Sequence, residues 1–394
     1  MQSLIKKIFA VILITLIVSC SLAPALAANP PLPDINASTT RIESLTKPDL
    51  LSDLGYGQEY GFGATQGLSV ASSGDKKRLF VVRFEDDLPT KAVLYMYKNY
   101  EKISEGYEAF LLDDLVAHAN GMAIDSKYIY ITCWDNDKSD VSDEHKIVRI
   151  KRQTLWELYN DPDINKRILT ANSQGVTVMQ AVYDSNGNEF DKKIVGITYY
   201  KNGEFIIGTP RTKLNGEWVL NFTTATVSDN GTADEKDDKL IVSNDASDKF
   251  QVAFDDISTT AGQDIGYDTN CGFFIVRSYK TTNSNGDEVA TTNNAIIWIR
   301  LDSKTGDNRV YKRDDKESLY RIIRVNKSSN IFEKYELESV SIGVDNNMYD
   351  SVNVKVWGKE TDEEYKQYNK YRKDPIIQIM RPDGNNFLVT NIGT

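Results

Sequence analysis

Five times along the chain a small or polar residue, an apolar residue, another small one and another apolar one follow in order. The copies are Gly67-Leu68-Ser69-Val70, Gly121-Met122-Ala123-Ile124, Gly196-Ile197-Thr198-Tyr199, Asp264-Ile265-Gly266-Tyr267 and Ser341-Ile342-Gly343-Val344. This alternation has the two-residue period of a strand, and small residues at alternate positions let several strands crowd around one axis. The copies begin 54, 75, 68 and 77 residues apart. Those intervals exclude a strict short repeat and leave room for one supersecondary unit in each.

Every copy is followed by a second β-branched or aromatic run, at 79–84, 128–134, 204–210, 273–278 and 348–354. A third follows at 92–98, 146–151, 218–224, 295–301 and 375–380. Residues 239–243 read as a fourth strand, and 387–391 as the strand completing the last unit. Asn202-Gly203, Asn215-Gly216, Asn285-Gly286 and Asp383-Gly384 have the composition of tight hairpin turns. Four antiparallel strands repeated radially describe an all-β fold, a five-bladed β-propeller, with six blades or a pair of β-sandwiches as the alternatives. Helical patterns are confined to 154–159 and 362–372. The predicted organisation is a signal peptide over 1–27, a polar, proline-rich leader over 28–53 and a single domain over 54–394.

The signal peptide is read from Lys6 and Lys7, the apolar run over 8–18 and the small residues of Ala25-Leu26-Ala27. The run is about half the ~20 residues a membrane span needs, and no later stretch is longer. The chain is therefore expected to be secreted, without a membrane span. Ile17-Val18-Ser19-Cys20 also has the form of a lipobox, so lipid anchoring through Cys20 is the alternative. With 46 Lys plus Arg against 57 Asp plus Glu, the net charge is -11, and the longest basic run is Lys76-Lys77-Arg78. A nucleic-acid partner is excluded on that balance. Cys133 and Cys271 fall in non-neighbouring units and read as buried thiols. The acidic stretch 232–239 reads as a solvated loop.

Polar residues close to the repeated motifs are expected to meet at one mouth of the central channel: Gln66, His118 with Asn120, Lys193, Gln263 with Asp264, and Glu338 with Ser339. An oxygen-rich ring of this kind suits calcium, which takes six to eight oxygen ligands. The competing reading is that these groups satisfy one another and the strand-end backbone, and Lys193 favours it. His118 has the chemistry of a general acid or base, and equally of a structural hydrogen-bonding residue. Asp264 and Glu338 are the one carboxyl pair that suits a glycosidase. The run Asp135-Asn136-Asp137-Lys138-Ser139-Asp140 starts like a calcium loop but lacks its glycine and its terminal glutamate. Nucleophile-elbow, phosphate-loop and dinucleotide motifs are absent.

The segment His118-Ala119-Asn120-Gly121-Met122-Ala123-Ile124-Asp125, with Tyr128-Ile129-Tyr130-Ile131-Thr132 after it, resembles the blade opening of secreted bacterial propellers. It is similar to NHL or gluconolactonase-like propellers and to the His-Ala-Asn-(Gly/Asp)-Met motif of helveticin J-like proteins. The resemblance implies an exported bacterial propeller. Through the gluconolactonase-like members it implies a central metal held by Asn120, Asp264 and Glu338, in a different chain order. The expected function is a non-catalytic module that binds a carbohydrate or protein at the cell surface. The alternatives are a metal-assisted lactonase or glycosidase at the channel mouth, or a helveticin-like bacteriocin.

Overall fold

The computed structural model describes residues 34–45, 49–55, 65–71, 77–85, 88–116, 119–133, 146–159, 161–183, 188, 190–228, 234–254, 264–277, 280–282, 288–290, 294–325, 335–343, 345–354 and 374–380. The signal peptide, Cys20, the loop at 135–140, and the proposed elements at 362–372 and 387–391 lie outside them. The chain is mostly β. Its antiparallel pairing falls into four-strand runs, each opening on one of the repeated motifs.

The first run is β2 (Thr65–Val70), β3 (Leu79–Glu85), β4 (Leu88–Tyr97) and β5 (Tyr107–Asp113). The second is β6 (Met122–Ile124), β7 (Tyr128–Thr132), β8 (Lys146–Lys151) and β10 (Val176–Val182). The third is β11 (Gly196–Tyr199), β12 (Glu204–Leu214), β13 (Glu217–Ser228) and β14 (Lys239–Val242). The fourth is β16 (Ile265–Asp268), β17 (Gly272–Arg277), β20 (Ala295–Ile299) and β22 (Tyr320–Val325). The last is β23 (Tyr335–Ile342), β24 (Met348–Val354), β25 (Asp374–Met380) and β1 (Ile35–Leu45).

The position of β1 corrects the expected leader. Part of 28–53 is not an extended tether but the outer strand of the last run, antiparallel to β25 and parallel to β22. Asp34 fastens its start to Arg313 at 2.8 Å and Arg324 at 3.0 Å. Shorter parallel pairings join β10 to β14 and β5 to β9 (Ile168–Leu169). Outer edges that would otherwise expose unpaired N–H and C=O groups are thereby covered. The remaining strands are β15 (Phe250–Ala253), which pairs with β13 and β21 (Arg309–Tyr311), and the hairpin β18 (Lys280–Thr282) with β19 (Glu288–Ala290).

Strands such as β7, β17 and β20 are buried on both faces, which explains why they read as continuous apolar runs. The buried faces form a separate core between each neighbouring pair of runs. Phe80 and Leu94 meet Ile129 and Val148; Tyr130 and Met179 meet Phe205 and Ile207; Phe222 meets Phe273 and Ile297. Phe274 and Ile296 meet Val352 and Ile377, and Tyr349 and Ile376 return to Leu68 and Tyr95. The innermost strands pack in the order β2, β6, β11, β16, β23 and back to β2.

Glycine is required where these strands come closest. A Cβ on Gly121 would lie 2.6 Å from Asp264 Oδ1 and 2.9 Å from Gly196 Cα, and one on Gly266 would lie 2.6 Å from the Val340 carbonyl oxygen. The hairpins at Asn202-Gly203 and Asn215-Gly216 place both turn residues at positive φ, as their sequence predicts. The short helix Arg152–Leu158 follows β8, with Leu155 in the core between the first two runs. Cys133 and Cys271 are both buried and unbridged.

Candidate functional site

A cavity of about 250 Å³ opens where the innermost strands end. Its wall takes residues from all of them: Ser69 and Val70 from β2, Ala123 and Ile124 from β6, Thr198 and Tyr199 from β11, Ile265 to Asp268 from β16, and Val340 to Ile342 from β23. The turn after β11 adds Tyr200, Lys201 and Asn202. Tyr200 and Tyr267 stand edge to face, with ring centroids 4.7 Å apart, and the Lys201 ammonium lies 4.5 Å from the Tyr200 ring centre.

Backbone groups hold this wall in place. The Tyr267 N–H donates to Thr198 Oγ1 at 3.1 Å, the Val70 N–H to Ser341 Oγ at 3.0 Å and the Gly203 N–H to the Tyr199 hydroxyl at 3.2 Å. Burial, with Tyr200, Asp268 and Asp302 nearby, pushes the Tyr267 phenol up to about 12, so it is a neutral donor at physiological pH. Among the described residues the one carboxyl of the wall, Asp268, accepts the N–H groups of Asn270 and Cys271 at 2.8 and 3.1 Å.

The residues nominated from the sequence lie toward the starts of the same strands. Gln66, Asn120, Asp264, Glu338 and Ser339 are all buried, and none lines the cavity; Lys193 is half-buried. His118 and Gln263 fall outside the described residues. Asp264 and Glu338 are brought together through the backbone, the Asp264 N–H donating to the Glu338 carbonyl at 3.1 Å. The Asp264 carboxylate gathers N–H groups from three strand starts: Ile265 at 2.8 Å, Met122 at 3.4 Å, and Ile197. Burial nevertheless holds it well above the usual carboxylate range, and the neighbouring charge of Asp350 adds to the rise.

Asp350, on β24, is the residue the sequence reading missed. The register of β23 against β24 slips between Leu337 and Ser339, and the Asp350 Oδ1 accepts the N–H groups of Glu338 and Ser339 at 3.3 and 3.4 Å in that bulge. A similar slip falls between Thr65 and Leu68 on β2, at Gln66. Bulges on two adjacent inner strands thus set the backbone around the axis.

The implied central metal can be tested on the donors present. Asn120 Oδ1 and Asp350 Oδ2 are buried oxygens with no hydrogen-bond partner, which suits a cation; Asn120, Asp264 and Asp350 would hold it. Among the described residues no three His, Cys, Asp or Glu side chains converge as a metal cluster, so carboxamide and backbone oxygens would have to complete the shell.

No family model and no curated protein matches the sequence, so nothing there supports the NHL or helveticin J-like resemblance. Among solved structures, the chain is similar to the mannose phosphorylase MPT-4 from Leishmania mexicana at 8% identity and a TM-score of 0.38, covering 93% of this chain and 91% of that one. It is similar to the soluble aldose sugar dehydrogenase of Escherichia coli at 11% identity and a TM-score of 0.32, covering 82% and 84%. Against the GH43 endo-arabinanase from Bacillus licheniformis the identity is 12% and the TM-score 0.29, covering 58% and 72%. Likeness at this level says nothing about activity. No helix among the described residues is long and apolar enough to cross a membrane.

Proposed function

We propose that the chain is a secreted five-bladed β-propeller that binds a carbohydrate, without catalysis, in the cavity at its hub. The cyclic packing of β2, β6, β11, β16 and β23, with a separate core between each pair of runs, supports the closed ring. One observation carries the ligand class: the cavity wall combines the Tyr200–Tyr267 corner with Tyr199, Thr198, Ser341, Asn202 and Lys201. Rings offer a face to the C–H side of a sugar, while hydroxyl, amide and ammonium groups meet its O–H groups. At about 250 Å³ the space lies below the ~300–1,000 Å³ of drug-sized sites, which favours a single sugar unit over a stretch of polymer. Among the described residues the one wall carboxyl, Asp268, is tied to backbone N–H groups, which favours binding over glycoside hydrolysis.

The test is calorimetric titration of the mature chain with a panel of monosaccharides and short oligosaccharides. Binding is expected to weaken about tenfold or more in Tyr267→Ala and Tyr200→Ala, since an aromatic contact contributes ~0.5–1.5 kcal/mol beyond its area. Unchanged affinity in both variants, or turnover of a glycoside or lactone that Asp264→Asn abolishes, would refute the reading.

A further inference from the structure

Two opposite charges line the cavity from neighbouring turns and do not pair. Lys201 stands on the turn after β11 and Asp268 at the end of β16, strands that pack side by side around the axis. Among the described residues no carboxylate and no hydrogen bond engages the Lys201 ammonium, which lies over the Tyr200 ring instead, 4.5 Å from its centre. Asp268 is turned into its own turn, where it accepts the N–H groups of Asn270 and Cys271 and the Cys271 thiol.

The hairpin fixes where that ammonium sits. Asn202 and Gly203 take φ of 51° and 83°, and the Glu204 N–H closes the turn on the Lys201 carbonyl at 2.8 Å. The Gly203 N–H reaches the Tyr199 hydroxyl, which ties the turn to the cavity wall, and Tyr267 holds the Tyr200 ring edge to face. A lysine stem is flexible, but here its charge is drawn onto a ring of the wall by a cation–π contact. In a chain of net charge -11, an ammonium left without a carboxylate at a cavity wall is positioned to meet an anion that arrives with the ligand.

We infer that the cavity selects an acidic sugar, a hexuronate-like unit whose carboxylate is met by Lys201 while its ring lies against Tyr200 and Tyr267. The inference rests on the carbohydrate reading above and narrows it. Lys201 is the one cation of the wall among the described residues, which matches the single charge of a carboxylate. A phosphate ester carries a charge of about -1.5 to -2 and three acceptor oxygens. Its partners are typically an arginine fork or several donors together, so one ammonium disfavours a sugar phosphate. Thr198, Ser341 and Asn202 remain for the hydroxyl groups of the same ring.

The experiment is calorimetric titration of the full mature chain with matched pairs, glucuronate against glucose and galacturonate against galactose, with glucose 6-phosphate as the more highly charged comparison. The acid of at least one pair should bind about tenfold more tightly than its neutral partner, as one hydrogen bond to a charged group gives. That preference should shrink as ionic strength is raised. Lys201→Gln should remove it and Lys201→Arg should keep it; the side chain is exposed, so neither variant threatens the fold. Equal affinity for acid and neutral members, a preference that survives in Lys201→Gln, or tighter binding of the phosphate overturns this inference and leaves the carbohydrate reading standing. Binding of no sugar in the panel overturns both.

Discussion

Gly121→Ala probes the crowding of the inner strands most directly. The added methyl would sit 2.6 Å from Asp264 Oδ1 and 2.9 Å from both Gly196 Cα and Ile197 N, against ordinary contacts of ~3.5–4.0 Å. Two of those neighbours are backbone and cannot rotate aside. The third is a carboxylate that can retreat only by releasing N–H groups of three strands. Overpacking of this kind costs ~1–3 kcal/mol, and a hydrogen bond to a charged group contributes ~1.5–3 kcal/mol. The sum is a destabilisation of about 2.5–6 kcal/mol. Gly208→Ala is the matched control. Its methyl would meet Phe222 Cε1 at 3.3 Å and Val195 Cγ2 at 3.4 Å, side-chain atoms that can give, while the alanine recovers ~0.4–1 kcal/mol from the unfolded chain. Urea unfolding of both variants at a common slope reads the difference directly. Gly121→Ala within about 1 kcal/mol of Gly208→Ala would refute the account of the hub.

Two further outcomes concern the outer strands. Asp238→Ala should cost about 3–5 kcal/mol, because it removes the carboxylate that pairs at 2.6 Å with the Arg149 guanidinium, 3% exposed and 4.4 Å from the Tyr128 ring centre, and leaves that charge only the neutral oxygens of Thr177 and the Glu235 backbone. Asp302→Ala, which removes an exposed partner of Arg300, should cost under about 1 kcal/mol, and a reversed order in urea unfolding would sink this ranking. Glu235 is held below its ordinary value of 4.5, first by the hydrogen bond from the Tyr128 hydroxyl and then by Lys151 and Arg149. A depressed carboxyl stabilises the fold above its unfolded pKa, and that contribution is lost as pH falls through the folded one. The excess in melting temperature of the native chain over Glu235→Gln should therefore be present at neutral pH and shrink below about 4.5. An excess that grows on acidification would contradict it.

Much of this architecture was legible in the sequence because both faces of most strands are buried. The second and third apolar runs fall within β3, β7, β12, β17, β24 and β4, β8, β13, β20, β25 apart from one or two end residues, and 239–243 holds β14. The outer strand of the last run was not legible. In β1 Ile35 is half-buried against the core, Asn36 and Ser38 are exposed and only Ala37 and Thr39 of the first five residues are fully buried, while the partners Ile323 and Ile379 lie hundreds of residues away. Nothing local distinguishes such a strand from a polar leader. The stretch 232–239 was read as solvated, yet Glu235 and Asp238 face Arg149 and Lys151 across the sheet; like-sign composition hides a partner remote in sequence. At the hub, Gln66, Asn120, Asp264, Glu338 and Ser339 were legible as polar residues beside apolar anchors. Asp350 carries a signal too, an acid inside the run Met348-Tyr349-Asp350-Ser351, but it lies on the second strand of its run, away from the polar residues that precede the repeated motifs.

The two ends of the axis differ because the inner strands all run the same way. At their starts, backbone N–H groups are left to be satisfied across the hub, and these draw carboxylates: Asp264 takes three of them and Asp350 two. At their ends the strands turn outward, and the wall is made of phenols, hydroxyls and an amide. With one ammonium, Lys201, and one carboxyl, Asp268, beside them, these groups accept and donate as a hydroxylated ligand needs. A site sought at the strand starts therefore finds acids already engaged by the fold, whereas the open cavity lies one strand length further on. Tyr199 and Tyr267 close the third and fourth copies of the repeated motif, so the letters that announce the fold also supply two walls of the proposed binding site.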